Sequence, residues 1–320
     1  MGYGCFTKDA AMAVAELSQP VTAERRSWRN GRTADQTRWG YIMIAPMMIG
    51  FAIFFVIALV ASLYLSFTDW KVIASPNWVG LQNYLKLPQD KTFMEALRNT
   101  AMLTVPNVVL RLLFSMLLAI ALNTKIRFRA FYRMLFFMPV LTMPVAIATI
   151  WKWLFDPGFG PINAQLGRMG LPKPEWLNQP QTAAIAVVIV LLWSGVGYDM
   201  IIFLAGLQNI PREYYEAAQI DGAGTFRQFR DITLPLLTPT TFFLSVVAII
   251  ASLQVFDLVY VMTRVGNINR FPTIVYYIYE EGFTNFRMGY AVSIAWVLLV
   301  IIMIFTIIQF RLQRRWVHYA

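Results

Sequence analysis

EYYEAAQIDGAGTFRQFRDITLPLLTP, residues Glu213 to Pro239, is a charged stretch set between two long apolar runs. Its residue order spells two short helices. Pro211 suits a first helical turn, and Glu213 favours the positive end of the helix dipole. Tyr214, Ala217 and Ala218 share one face at helical spacing. Gly222 ends this helix, because glycine readily takes the left-handed cap conformation. Thr225 with Gln228 three residues on reads as a capping box for the second helix. Phe226, Phe229 and Ile232 give that helix an apolar stripe, and Pro235 and Pro239 break it. Two short amphipathic helices need something to cover their apolar sides. Periodicity alone leaves open whether lipid headgroups, neighbouring loops or another protein does so.

The runs on either side set the class. The chain has 320 residues, 58% hydrophobic and 14% charged, far from the roughly 25% charged typical of soluble domains. Six stretches approach or exceed the roughly 20 apolar residues a membrane span requires. They are Tyr41–Phe67, Ala101–Leu122, Leu135–Leu154, Ala183–Leu207, Thr240–Met262 and Ala291–Phe310. All are helix-length, whereas barrel strands would be about half as long and alternating. With the N-terminus placed in the cytoplasm, the inner segments carry 16 Lys and Arg and the outer ones 10. Both termini are therefore expected inside. The net charge of +10 is read as loop bias of this kind, not as a nucleic-acid footprint. Residues 1–40 form a polar tail expected to be mostly disordered, 41–67 a first span, 97–310 a five-helix core, and 311–320 an inner tail. Trp70, Trp78, Tyr84, Trp153 and Trp176 near span ends fit an interfacial aromatic belt.

Several chemistries are excluded or weakened. Cys5 and His318 are the only residues of their kinds, so no intrachain disulfide is possible, and a Cys- or His-based metal or acid–base site has no ligand set. No GxxxxGK[ST] phosphate loop occurs; GAG at Gly222–Gly224 lacks the lysine and the preceding strand. No catalytic residue set is found, and an intramembrane enzyme is disfavoured. Arg111, Asp199 and Asp257 are the charged candidates inside spans and should face protein or water, either snorkelling, paired with one another, or functional.

The opening stretch is similar to a known signature. Glu216-Ala217-Ala218, Gly222 and Ile232-x-Leu234-Pro235 match the EAA---G---------I-LP pattern of permease subunits of ABC importers. The resemblance runs nearly the whole length beyond residue 40. It includes SLYLSFTDW at Ser62–Trp70, GLQNYLKL at Gly80–Leu87, RNTAMLT at Arg98–Thr104, YRMLFFMPVLTMPVAIATIWKWLFDPGFGPIN at Tyr132–Asn163 and LAGLQNIP at Leu204–Pro211. These segments look like carbohydrate-uptake permeases, and the match is closer to the MalF/UgpA-like half of the permease pair than to the MalG/UgpE-like half.

The resemblance implies an all-α integral membrane protein with six transmembrane helices, the type I ABC importer (MetI-like) permease fold, and a cytoplasmic coupling helix in the EAA loop at 212–239. Glu216, Ala217, Ala218 and Gly222 would then be the ATPase-coupling residues. It further implies a second, MalG/UgpE-like permease subunit, two ATPase subunits holding ATP and Mg, an extracytoplasmic solute-binding protein and a prokaryotic inner membrane. No cofactor is expected on this chain itself.

On the fourth span Leu191, Ser194, Gly195 and Tyr198 share a helical face. Spacing alone reads this as tight helix packing through small residues. The resemblance instead makes Ser194, Gly195 and Tyr198, with Gln254 and Asp257 of the fifth span, candidates for a sugar path. Leu191 stands where maltose-type permeases carry a polar residue. TRVGNINR replaces their glycine-rich segment after the fifth span. A secondary transporter would want acidic residues in its spans and two-half repeats; a structural or sensory membrane module is a further alternative.

Overall fold

The computed structural model describes residues 32–73, 75–124, 126–264 and 271–317. The expectations for residues 1–31, for the Val265–Arg270 part of TRVGNINR and for His318 lie outside these. Among the described residues the structure is helical, apart from one isolated bridge between Thr68 and Trp78.

Contacts divide the chain into two units, Met1–Leu59 and Val60–Ala320. In the first, helix α1 (Asp35–Ser66, which runs on into the second unit) is long and apolar enough to cross a bilayer. Its side chains up to Leu59 are largely exposed. A π-helical turn at Ala52–Ile57 interrupts its α-helical hydrogen bonding.

The second unit opens inside α1, at Val60. The Asn83 amide, on the short helix α2 (Gln82–Lys86), donates to the carbonyls of Ser66 and Thr68, both at 2.9 Å. It thereby satisfies acceptors that a helix C-terminus leaves open. Then follow α3 (Lys91–Asn123), α4 (Arg129–Phe137), α5 (Pro144–Leu154), α6 (Pro161–Arg168) and α7 (Pro180–Gln208). The remaining elements are α8 (Arg212–Ile220), α9 (Thr225–Leu236), α10 (Thr238–Leu253), α11 (Asp257–Arg264), α12 (Ile274–Tyr279) and α13 (Met288–Trp316).

Helices α3 and α7 form the spine. Ala119 and Leu122 of α3 meet Met200, Phe203 and Leu207 of α7 in one buried cluster, joined by Leu237 and Leu244. A second cluster gathers Leu103, Ile147, Phe155, Val187, Met262 and Phe271. Between helices in lipid, close fit rather than water exclusion drives association. Gly197 shows it: a Cβ there would collide with the backbone carbonyl of Phe136.

Two of the six apolar runs are not straight spans. Leu135–Leu154 was expected as one helix, but the chain bends by 99° between Arg129–Leu141 and Pro144–Leu154. The reason is chemical. Pro139 sits in a 3-10 turn and Pro144 opens α5. Neither has an N–H to donate, so a continuous α-helix through both would leave carbonyls without partners. The fifth run, Thr240–Met262, is divided as well: α10 ends at Leu253 and α11 starts at Asp257. Among the described residues four helices are therefore continuous candidates for crossing, rising to six if each bent pair, Arg129–Leu154 and Thr225–Leu253, is counted as one span.

Outside the spans, Asp90 ties three elements together. Its Oδ1 accepts from the amides of Thr92 and Phe93 and so caps α3. Its Oδ2 accepts from the hydroxyls of Tyr277 on α12 and Tyr290 on α13, both at 2.6 Å. Burial works against the charged form, but the two tyrosines and the two amides outweigh it and hold this carboxyl below its ordinary range.

Candidate functional site

Two regions concentrate the chemistry. The first is the joint between α8 and α9. Helix α8 starts at Arg212 with Pro211 at its cap, one residue later than a first-turn proline would place it. Gly222 takes φ +75°. The amide of Ala223 donates to Ala218 O at 2.8 Å and that of Gly222 to Gln219 O at 3.0 Å. These two bonds are a complete Schellman stop, the motif that glycine at this position favours. Nothing lies within 4 Å of where a Gly222 Cβ would stand, so the glycine serves conformation and not space.

The capping box expected at Thr225 is absent. Gly224 occupies the cap position, and Thr225 makes no capping bond. The Gln228 amide instead donates to Ala223 O at 2.8 Å, which staples α9 back onto the end of α8. Pro235 does not break α9 either. A π-helical turn at Phe229–Thr233 precedes it and lets the helix run on to Leu236. The chain then turns by 59° into α10.

No residue of α8 is buried. Ile220 is 88% exposed and Phe226 75%. Glu216, Ala217 and Gly222 are exposed and Ala218 half-buried. Tyr215 is anchored inward, its hydroxyl 2.9 Å from that of Thr233. The joint is thus internally braced yet presents an apolar and acidic outer face.

The second region lies at mid-span. Arg111 of α3 and Asp199 of α7 form a two-pronged pair: Nε donates to Oδ2 at 2.6 Å and Nη2 to Oδ1 at 2.7 Å. Their side chains are 14% and 1% exposed. Two opposite charges in apolar surroundings are tolerable only when paired this closely. The guanidinium lies across Gly195; a Cβ there would stand 2.7 Å from its central carbon. Gly195 thus has the packing role that spacing alone suggested; what spacing could not name is the group it accommodates, which comes from another helix.

Ser194, Gly195 and Tyr198 line one recess of about 260 Å³ together with Arg111, Thr142 and Leu258. Gln254 lies elsewhere, beside Ile278, Ala295 and Leu298, and Asp257 is exposed at the start of α11. The structure therefore splits the five candidate path residues into a group of three and two outliers. Thr142, at the bend of the third run, joins the group unannounced; the flanking Pro139 and Pro144 were the available signal. Gln254 instead opens the helix break at 254–256, and Asp257 follows it. There the Tyr260 amide donates to Phe256 O at 2.8 Å, and the Thr273 hydroxyl reaches Val255 O at 3.4 Å. Irregular backbone at membrane depth is found where it is buried in protein or lines a polar cavity. Nearer the second apolar run, the buried Asn107 amide donates to Ser252 Oγ at 2.6 Å, joining α3 to α10.

A family model for the binding-protein-dependent transport system inner membrane component matches residues 100–318. The chain belongs to this family of permeases. The family name makes it an inner membrane component of a transport system, consistent with its apolar helices. Similar curated proteins include the probable ABC transporter permease protein YesP of Bacillus subtilis, 38% identical over 285 residues, covering 88% of this chain and 92% of that one. The sn-glycerol-3-phosphate transport system permease protein UgpA of Agrobacterium fabrum is 34% identical over 88% of this chain and 96% of its own. The arabinooligosaccharides transport system permease protein AraP of Bacillus subtilis is 33% identical over 92% and 94%. Among solved structures, a chain of a bacterial ABC transporter that imports the acidic polysaccharide alginate superposes with a TM-score of 0.80 at 24% identity, over 89% of this permease and 98% of that chain. At that identity the likeness establishes the fold alone.

Proposed function

We propose that this permease forms the translocation path of an ATP-driven importer for a carbohydrate, and that it is coupled to separate ATPase subunits through the α8–Gly222–α9 joint. The observation that carries the coupling is that joint. It is braced from within by the Gln228–Ala223 bond and the Schellman stop, and its outer face is left uncovered. An internally rigid, externally exposed element transmits force to a partner better than a floppy loop does. The chain itself lacks a phosphate-binding loop, so the energy must be supplied from outside it.

The carbohydrate reading draws on relatives named for arabinooligosaccharide and glycerol-phosphate transport. The mid-span recess supports it, offering hydroxyls and an aromatic ring at Thr142, Ser194 and Tyr198; small, mostly apolar pockets with a few placed polar groups suit such solutes. The full assembly in this reading has a second related permease, two ATPase subunits and an external solute-binding protein. Both termini and the joint face the cytoplasm, as the Lys and Arg distribution implies.

Reconstitution tests the proposal. The permease is assembled in liposomes with its second permease, ATPase and binding protein, and hydrolysis and uptake are followed. Glu216→Lys or Gly222→Val should leave the chain in the membrane and cut uptake, with ATPase lost from the complex or hydrolysing regardless of the binding protein. Wild-type association, stimulation and uptake in both variants would refute the coupling role. A thermal-shift screen of the binding protein against a sugar panel tests the substrate class separately.

A further inference from the structure

The link between α3 and α4 carries Lys125, Arg127, Arg129 and Arg133 and no acidic residue. Arg129 and Arg133 are one turn apart on α4, so they project from the same side. Both are half-buried. Among the described residues, Nε of Arg129 and Nε and Nη2 of Arg133 are shielded from solvent and meet no hydrogen-bond acceptor. The bond that the described residues do make to this pair is a long one, from Arg129 Nη2 to the neutral Asn123 side chain at 3.3 Å. Two adjacent cations partly withdrawn from water, without a counter-charge, are unfavourable unless an anion arrives.

Two residues beyond Arg133, the same helix enters an apolar groove of about 740 Å³. Leu135 of α4, Phe114 and Leu118 of α3, Trp151 of α5, and Ile189 and Trp193 of α7 form its walls, and no charged residue lines it. Along α7 the groove extends from Ile189 to Gly197. At 1.5 Å per residue that is about 12 Å. On α3 its walls continue past Arg111 to Leu118, toward the link that carries Arg129 and Arg133.

We propose that this face binds an anionic phospholipid, with the phosphodiester held by Arg129 and Arg133 and an acyl chain laid in the groove. The arginine fork matches phosphate oxygens and clusters of arginine beside a span attract anionic lipid. A second membrane protein seated in the groove would cover its apolar walls, but would need a carboxylate beside the arginines to pair them. An ATPase surface could neutralise the arginines but would not reach the membrane-depth walls. A lipid meets both requirements at once.

Native mass spectrometry of the assembled importer tests this, with dioleoyl phosphatidylglycerol and dioleoyl phosphatidylcholine offered in equal amounts. Wild type should retain the glycerol lipid by about tenfold over the choline lipid. Arg129→Gln with Arg133→Gln should bring the two within about twofold, while the paired lysine variants keep most of the preference. Arg127→Gln, altering an exposed cation stacked on Phe128, should change nothing. Leu118→Trp should lower retention of both lipids by filling the groove. If the double glutamine variant does not assemble, each single one should show about a threefold loss. Equal retention of the two lipids by wild type, or a preference untouched by the glutamine variants, overturns the proposal. So does displacement of the lipid by millimolar inorganic phosphate, which would make the site one for a free anion. High-yield cross-linking of Leu135→Cys to the second permease subunit in bilayers would assign the groove to protein and overturn it too.

Discussion

At Arg111 and Asp199, two residues 88 positions apart share a charge balance that neither could sustain alone. Removing one partner strands the other in an apolar setting. Asp199→Asn should therefore destabilise the permease by about 3–5 kcal/mol, read as a lowered unfolding midpoint in detergent. Replacing both, as Arg111→Met with Asp199→Leu, should recover most of that loss, because an apolar pair needs no desolvation. If the single and double variants melt alike, the pair carries no structural weight. Gly195→Ala should act on the same pair, since the added carbon would stand in the guanidinium. Gly222 differs in kind. Its surroundings are open, so the penalty is confined to backbone conformation, about 1 kcal/mol or more for a side chain held at positive φ. Substitutions should rank Asn mildest, then Ala, then Val, in loss of uptake at constant membrane yield. An order set by side-chain volume alone would point to a steric role.

Among the elements, the short helices and breaks between spans carry the distinctive physics. The break at 254–256 leaves Gln254 exposed while its neighbour Leu253 is buried. Gln254→Cys should accordingly react with a water-soluble thiol reagent in the assembled importer, and Leu253→Cys should not. Equal protection would place the break in lipid or protein instead of beside water. The Asp90 hub makes a pH prediction. Its carboxyl is held below the ordinary range despite burial, by two tyrosine hydroxyls and two helix amides. The folded state thus prefers the charged form, and the unfolded chain binds the proton more readily. The stabilisation is complete above the unfolded value of about 3.9 and drains away as pH falls through the folded one. Asp90→Asn should lower the unfolding midpoint at neutral pH, and the gap from wild type should narrow below pH about 4. A gap independent of pH would show that charge is not involved.

For the molecule as a whole, the proposed function puts the coupling joint beyond the end of α7 and the recess along the same helix. Helix α7 carries Ser194, Gly195 and Tyr198 and ends at Gln208, four residues before α8 begins. In the proposed coupling, a displacement of α8 by a partner would reach the recess through this short connection. The orientation is open to test: reporter fusions after Arg129 and after Ala320 should both read out as cytoplasmic. A translocated C-terminal reporter would invert the topology and with it the site of coupling.

Composition and local pattern were enough to indicate the class, the apolar runs and the helix–Gly222–helix joint. An apolar run of helix length has one stable fate in a bilayer, because every backbone amide must find its partner within the segment. The Gly222 stop was legible for a similar reason: its bonds join residues no more than five apart. Proline effects were legible in kind but not in degree. Pro139 and Pro144 mark a disturbance, yet only packing of Phe136 against Gly197 and of Ile147 in the buried cluster decides that the bend is 99°. Thr225 looked like a cap because its spacing to Gln228 allowed one. The structure bonds Gln228 to Ala223 instead, since the helix had already found its stop at Gly222. The pairing of Arg111 with Asp199, the recess over Gly195 and the separation of Gln254 from Tyr198 were decided by tertiary structure alone. Each depends on which faces of distant helices meet, and in lipid that choice is made by close fit between surfaces, which no single helix carries in its own sequence.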